Sequence, residues 1–150
     1  MDEIIKLLDG NLDYESHKII DNTIFINVIS NREEVICPYC GSPSSKVHSH
    51  YKKTFQDLPI QGEKVKVILN NRKMFCYNPN CNHTTFSESF DFLKFKAKKT
   101  NRLENEIINI AMNVSSLTAT DFLRKNVVDV GKSTICNLLK KKHQLLIKRK

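Results

Sequence analysis

The stretch of sequence that decides the fold is Cys37-Pro38-Tyr39-Cys40, together with its counterpart Cys76-Tyr77-Asn78-Pro79-Asn80-Cys81. Each segment places two cysteines around residues that favour tight turns, namely proline and asparagine. Zinc prefers four tetrahedral ligands, and two such turns supply four thiolates without strain. We therefore predict one structural Zn²⁺ ion, held by Cys37, Cys40, Cys76 and Cys81.

Other roles for these residues remain open at this point. Paired cysteines also occur as reduced thiols in a core or as disulfides in secreted proteins. The chain starts with the acidic residues Asp2 and Glu3 and has no long apolar stretch, so we expect no signal peptide, no membrane partner and a cytoplasmic location. His83 is an alternative ligand to Cys81, whereas His48 and His50 are expected at the surface.

Charge is distributed unevenly along the 150 residues, whose formal net charge is +8. Residues 1–36 have eight acidic and three basic side chains, whereas residues 91–150 have fourteen basic and five acidic ones. A basic C-terminal part favours a polyanionic partner, most simply nucleic acid. A solvated cationic surface without a specific partner is the alternative.

Hydrophobic patterning predicts an α+β protein with three segments. Residues 1–30 are predicted to form an N-terminal helix, Asp2 to Leu8, and a strand, Thr23 to Ile29. Residues 31–90 are predicted to form a small β-rich zinc ribbon, with a strand from Glu63 to Asn70 and a turn at Asp57-Leu58-Pro59.

From Lys98 onward the hydrophobic period changes from two to about 3.6, which predicts helices over residues 91–150. Asn101 is the expected cap of the first helix, with Glu104 completing an approximate capping box. Thr118 is the expected cap of the second, and Gly131 precedes the third.

Three short helices of this kind predict a helix-turn-helix, in which the last helix enters the major groove of DNA. A plain helical bundle with a charged face is the alternative. Ile135, Leu138 and Leu139 are expected to pack inwards. Asn reads adenine and Lys reaches guanine or phosphate, so the predicted DNA-binding residues are Lys132, Ser133, Asn137, Lys140 and Lys141.

Several of these motifs together resemble the N-terminal region of the ISL-three family of insertion-sequence transposases. The similar segments are Cys37 to Ser42, Asp57-Leu58-Pro59, Arg72 to Cys76 with Cys81, and Thr85-Phe86 with Glu88. Residues 100–142 resemble the helix-turn-helix that follows in that family. The resemblance implies sequence-specific binding of the terminal inverted repeats of an element, by zinc ribbon and helices together.

The resemblance also sets expectations about partners and activity. In that family a catalytic domain with an Asp-Asp-Glu metal site comes next, whereas this chain ends at Lys150, so we expect a truncated or frameshifted copy without enzyme activity. The expected partners are double-stranded DNA of element ends and a homodimer or full-length transposase, in association with the bacterial nucleoid. A zinc-ribbon adaptor that binds protein is the alternative function.

Overall fold

The fold is described from a computed structural model that covers residues 1–114 and 116–148. Within these residues it is a mixed α+β structure with a strand-rich first half and a helical second half. In chain order the elements are α1 (Asp2–Leu8), β1 (Leu12–Ile20), β2 (Thr23–Ser30), β3 (Val35–Ile36), β4 (Pro43–Ser44), β5 (Val47–Ile60), β6 (Glu63–Phe75), β7 (Thr85–Ser87), α2 (Asn101–Asn113), α3 (Ser116–Asn126) and α4 (Lys132–Lys148).

Five strands form one sheet in the order β1-β2-β6-β5, with β7 paired to the end of β6. β2 and β6 run parallel, whereas the other neighbouring strands are antiparallel. A parallel pair needs a long crossover connection, and residues 31–62 provide it. That connection contains β5 and the separate β3–β4 hairpin, which carries the first cysteine pair.

The core of the sheet is built from alternating apolar residues, because every second side chain of a strand faces the same side. On the paired strands β2 and β6 these residues are fully or almost fully buried and lie opposite one another: Ile24 with Val65, Ile26 with Val67, and Val28 with Leu69. Ile5 of α1 and Phe55 of β5 complete this core. The predicted helix from Asp2 to Leu8 and the strand from Thr23 are confirmed.

The turn predicted at Asp57-Leu58-Pro59 is wrong, because these residues belong to β5. The chain instead reverses at Gln61 and Gly62, whose φ angles are 49° and 82°. Glycine enters this left-handed region without steric cost, so the second of these positions suits the turn. Asp57 is buried rather than exposed as a turn residue would be.

The three C-terminal helices pack around a second core of their own. Its buried members come from all three helices and from the α3–α4 connection: Leu103, Ile107, Ala111, Ala119, Leu123, Val127, Val128, Val130, Ile135 and Leu138. The α3–α4 connection is held in addition by Arg124, whose Nε donates to the carbonyl of Val130 at 2.8 Å. The predicted three helices are present, whereas their assignment as a helix-turn-helix stays a prediction.

The helix caps differ from those expected. Thr100, not Asn101, caps α2, and its hydroxyl accepts a hydrogen bond from the amide of Leu103 at 3.3 Å. The predicted cap Thr118 lies inside α3. The third helix was expected to end in Lys140-Lys141-Lys142, but α4 continues to Lys148, because good helix formers such as Leu145 and Leu146 follow the lysines.

The sheet and the helices are joined by an ion pair between a buried aspartate and a partly exposed arginine. Asp57 of β5 accepts hydrogen bonds from the guanidinium of Arg102 at both carboxylate oxygens and from the hydroxyl of Thr100 at 2.8 Å. The backbone of Gln56 bonds to Lys98 and Thr100, and the Nζ of Lys64 lies 2.7 Å from the Oδ1 of Asp129. These contacts fix α2 and the α3–α4 connection against the sheet.

The five-stranded sheet contains strands from both predicted segments 1–30 and 31–90. Their separation as folding units, and that of residues 91–150, stays a prediction. No helix within residues 1–114 and 116–148 has the length and apolar character needed to cross a membrane.

Candidate metal centre and cationic helix face

The first cysteine pair lies on the turn of the β3–β4 hairpin. The amide of Gly41 donates to the carbonyl of Cys37 at 2.8 Å, and the amide of Cys37 donates to the carbonyl of Ser42 at 2.9 Å. Gly41 has a φ of 78°, a conformation that side chains disfavour. The glycine therefore allows the chain to curl tightly after Cys40.

The second cysteine pair follows the end of β6. The amide of Cys76 donates to the carbonyl of Thr84, and the amide of Cys81 donates to the carbonyl of Asn78 at 3.0 Å. The side chain of Asn78 also accepts from the amide of Asn80 at 3.0 Å. Asparagine thus shapes this turn by bonding to the backbone two residues on, as the sequence indicated.

The two turns bring all four sulfurs of Cys37, Cys40, Cys76 and Cys81 within 4.8 Å of one another. The Sγ atoms of Cys40 and Cys76 are 3.6 Å apart. A tetrahedral ion with Zn–S bonds of about 2.3 Å separates its ligands by roughly 3.8 Å. The donor set and its spacing therefore fit a zinc ion with little adjustment.

The pKa values of the thiols differ within the cluster. Hydrogen bonds from the side chain and backbone of Ser42 lower the pKa of Cys40 to about 6. The backbone of Asn78 favours the thiolate of Cys76, but burial and the neighbouring sulfurs outweigh this and raise the pKa of Cys76 to about 12. Four thiolates at this distance repel one another, so full ionisation needs a bound cation to offset their charge.

The surroundings of the sulfurs indicate a structural rather than a catalytic metal. Val35, Met74 and Phe86 are buried around Cys37 and Cys76 in a third small core. Four thiolates also complete the coordination of zinc and leave no position for water or substrate. A bound ion would tie the β3–β4 hairpin to the end of β6.

The rings of His83, the alternative ligand, and of His48, expected at the surface, do not join the cysteine sulfurs. The ring of His83 stacks on Tyr39, with centroids 3.5 Å apart. His48 contacts Phe75 edge to face and hydrogen-bonds the hydroxyl of Ser49. Among the described residues, the four cysteines are the only group of three or more metal-ligand side chains whose donor atoms converge.

A buried ion pair supports the second turn, and sequence reasoning did not identify its role. Arg72 of β6 donates from Nε and one terminal nitrogen to the two carboxylate oxygens of Glu88, at 2.9 and 3.0 Å. The hydroxyl of Ser30 donates to the same carboxylate at 2.7 Å, and Arg32 lies 3.4 Å from it. Arg72 and Glu88 were notable only as part of the family resemblance, because nothing local pairs residues sixteen positions apart.

The predicted DNA-binding residues share the exposed side of α4. Ile135 and Leu138 are buried against α2 and α3, and Leu139 is half-buried, as expected. The remaining side of the helix is exposed at all five predicted positions, which are Lys132, Ser133, Asn137, Lys140 and Lys141. Their role in DNA binding stays a prediction.

The acidic residues near the N-terminus are engaged in local contacts. Asp13 forms an ion pair with Lys6 at 2.6 Å, Asp2 accepts from the amide of Tyr14, and Asp9 accepts from the amide of Asn11. They serve to connect α1 with the strand that follows.

Comparison with known proteins bears on the metal centre. A family model described as the zinc-finger of transposase IS204/IS1001/IS1096/IS1165 matches residues 33–81, about a third of the chain. This segment includes all four cysteines, so the predicted zinc ribbon and its structural Zn²⁺ are confirmed. No curated protein and no solved structure matches the chain.

Proposed function

We propose that this protein binds the ends of an insertion sequence as a transposase-related DNA-binding protein. The observation that carries the proposal is the zinc ribbon of transposase type at residues 33–81, in which four cysteine sulfurs converge. A zinc ribbon of that type supports a transposase-related role in binding nucleic acid. The finer claim, recognition of a particular double-stranded sequence, rests on the helices that follow.

The zinc ribbon supplies rigidity in this proposal. When bound, zinc cross-links the two cysteine turns and so stabilises a unit whose own core is small. The hairpin β3–β4 then stays fixed relative to the sheet. Because Asp57 binds Arg102, the sheet in turn fixes α2 and the helices packed against it. The ribbon and the helices therefore meet DNA as one surface with a defined geometry.

α4 is the element best suited to read the duplex. Lys132, Ser133 and Asn137 lie on the first half of this helix, and in helix-turn-helix proteins the N-terminal part of the last helix meets base edges. Asn137 is the residue suited to a bidentate contact with adenine. Lys140 and Lys141 follow one turn later, where phosphate contacts are expected to set the register.

The excess of basic residues in residues 91–150 supports the same proposal. Lysines that neutralise phosphates release counterions, so affinity falls with salt by a slope of about 0.9 per contacted phosphate. If the chain is instead a protein adaptor with an incidental basic surface, we expect no comparable salt-dependent binding to DNA. Salt dependence therefore separates the two functions.

The test compares two substitutions on α4 in binding to an element end and to random duplex. Asn137→Ala should reduce the preference for the specific sequence by about 1–3 kcal/mol, whereas Lys141→Ala should weaken both duplexes alike. Lys18→Ala, at an exposed position on β1, is the matched control and should leave both affinities unchanged. Equal losses on both duplexes for Asn137→Ala contradict the base-reading role.

Protein binding is a second candidate, favoured by apolar side chains exposed towards the end of α4. Leu145, Leu146 and Ile147 are each more than half exposed. Such a group suits self-association or contact with a full-length transposase. Light scattering at increasing protein concentration tests it, and Leu145→Lys with Leu146→Lys should abolish any dimer without reducing zinc content.

A further inference from the structure

A groove of about 630 Å³ lies between the first cysteine turn, the outer part of β5 and residues 87–96. Its volume falls within the range of about 300–1,000 Å³ that is typical of small-molecule and nucleotide sites. The groove is formed by the ribbon, the sheet and the segment before α2. None of the predicted DNA-binding residues lines it.

Three exposed aromatic side chains border the groove: Tyr39, Tyr51 and Phe95. One face of Tyr39 is covered by the ring of His83, with the two rings nearly parallel at 7°. Phe95 is 87% exposed, although a phenylalanine normally gains from burial. Aromatic faces at the rim of a concave site are a platform on which an unpaired base stacks.

The segment that carries Phe95 is held in a costly conformation. Lys96, directly after it, has a φ of 58°, in the left-handed region that non-glycine residues seldom adopt. The segment is anchored on both sides by backbone bonds, from Ala97 to Lys94 and from Asn101 to Phe92. Such strain persists where the surrounding structure imposes it, and it is concentrated at functional sites.

Two hydrogen-bonded polar side chains, Asn71 and Tyr51, lie on the groove wall. The side chain of Asn71, 2% exposed, donates through Nδ2 to the hydroxyl of Tyr51 at 2.9 Å and to the carbonyl of Glu88 at 3.1 Å. The Tyr51 hydroxyl accepts this bond and so keeps its own hydrogen for a ligand acceptor. Within the described residues the Oδ1 of Asn71 has no hydrogen-bond partner, and this atom is itself buried beneath the wall.

The charges around the groove fit an anion. Lys52, Lys53 and Lys96 line it, and none of them forms an ion pair with a carboxylate of the described residues. The carboxylate of Glu88 also lies at the groove, but Arg72 and Arg32 neutralise it. The groove therefore presents a net positive charge beside its aromatic platform.

We propose that this groove binds an unpaired nucleotide of single-stranded or locally melted DNA. The bases of a duplex are already stacked on one another, so only an unpaired base presents its face to Tyr51 and Phe95. A duplex is also too wide to enter a groove of this volume, whereas one nucleotide fits. The adjacent lysines contact the phosphates of the same strand. This role goes beyond the reading of duplex DNA by α4 and does not depend on it.

The test measures binding of the zinc-loaded full chain to two labelled strands of equal length by fluorescence anisotropy. One strand is an oligothymidylate, and the other is an abasic deoxyribose-phosphate oligomer with the same charge. Since stacking of a base on an aromatic ring is worth roughly tenfold or more in affinity, the wild-type protein should prefer the oligothymidylate by about that factor. A ratio near one overturns the proposal.

Substitutions assign the preference to the groove. Phe95→Ala should bring the ratio of the two affinities close to one. Because this side chain is exposed, the variant should keep the wild-type fold, which zinc content and circular dichroism check. Tyr77→Ala is the control, because Tyr77 is exposed near the second cysteine turn but lies outside the groove. Lys52→Gln, at another lysine of the groove, should weaken both strands equally.

The outcomes also separate this proposal from that for α4. An unchanged ratio in Phe95→Ala contradicts the groove as the site, whatever the duplex affinity. Asn137→Ala and Lys141→Ala should reduce duplex binding and leave the ratio between the two single strands unaltered. If Lys141→Ala removes the preference for oligothymidylate and Phe95→Ala does not, single strands bind on α4 and the groove proposal fails.

Discussion

Replacing Cys40 by serine is the most direct test of the metal centre, because it removes one of four converging sulfurs while keeping the shape of the side chain. Without zinc, the unit around the sulfurs has a small core made of Val35, Met74 and Phe86. Burying three such side chains contributes about 5–9 kcal/mol. This contribution has to be compared with the entropy cost of ordering the first cysteine turn.

The entropy cost of ordering the first cysteine turn exceeds the contribution from burial alone. Fixing the backbone of residues 33–46 costs at least about 14 kcal/mol, at about 1–2 kcal/mol per residue. Structural zinc in small domains contributes an apparent 10–16 kcal/mol or so. Burial and metal together offset the entropy, whereas burial alone falls short. Cys40→Ser should therefore unfold residues 33–46 and leave the helical core around Leu103 and Ile107 intact.

Three measurements on the same preparation check this. Elemental analysis in reducing buffer should give one zinc per wild-type chain and much less than one for Cys40→Ser. Limited proteolysis should cut the variant within residues 33–46, and circular dichroism should retain most of the helical signal. Cys136→Ser is the matched control, since Cys136 lies on α4 outside the cluster. This variant should bind as much zinc as the wild-type chain. A wild-type chain without stoichiometric zinc refutes the reasoning.

Three further predictions concern the ion pairs and the acidic residues. Glu88→Gln removes a fully buried carboxylate from a largely buried arginine and should lower the free energy of unfolding by about 3 kcal/mol. Glu104→Gln, which removes a more exposed pair, should cost less than about 1 kcal/mol in the same urea titration. A lysine on β6 lowers the pKa of Asp129 through its hydrogen bond and its charge. The stability that this ion pair contributes is therefore present above the ordinary pKa of an aspartate, and it is lost as the pH falls through the lower pKa that Asp129 has in the folded state. Because Asp129 is largely exposed, a pH titration of unfolding should show Asp129→Asn to differ from wild type by less than about 1 kcal/mol, and only above that acid range. We also propose that the chain by itself neither nicks nor joins DNA in magnesium or manganese; nicking on a gel that disappears with Asp9→Asn or Asp13→Asn would restore an enzyme function.

Local chemistry explains which features were predictable. Zinc ligation depends on residue type and on spacing within two short turns. The two cysteine pairs, Cys37 with Cys40 and Cys76 with Cys81, were therefore enough to predict the metal centre. The first helix from Asp2 and the alternation of β2 and β6 are equally local, since each is set by a period that recurs within a few residues. The caps were less predictable, because Thr100 and Asn101 are both good candidates and only the tertiary contacts of α2 decide between them.

Contacts between distant residues were decided by the tertiary structure alone. The parallel pairing of β2 with β6 joins residues about forty positions apart, and no local pattern distinguishes it from an antiparallel arrangement. The local sequence predicts a turn at Asp57, because the partner that favours burial of its carboxylate, the guanidinium of Arg102, lies on a distant element. The groove beside Phe95 likewise exists only where the first cysteine turn, β5 and the segment before α2 come together. The sequence by itself determined the metal ligands and the local periods, because these depend on neighbours along the chain. The packing of distant segments determined the ion pairs and the groove, because their free energy depends on which groups folding brings into contact.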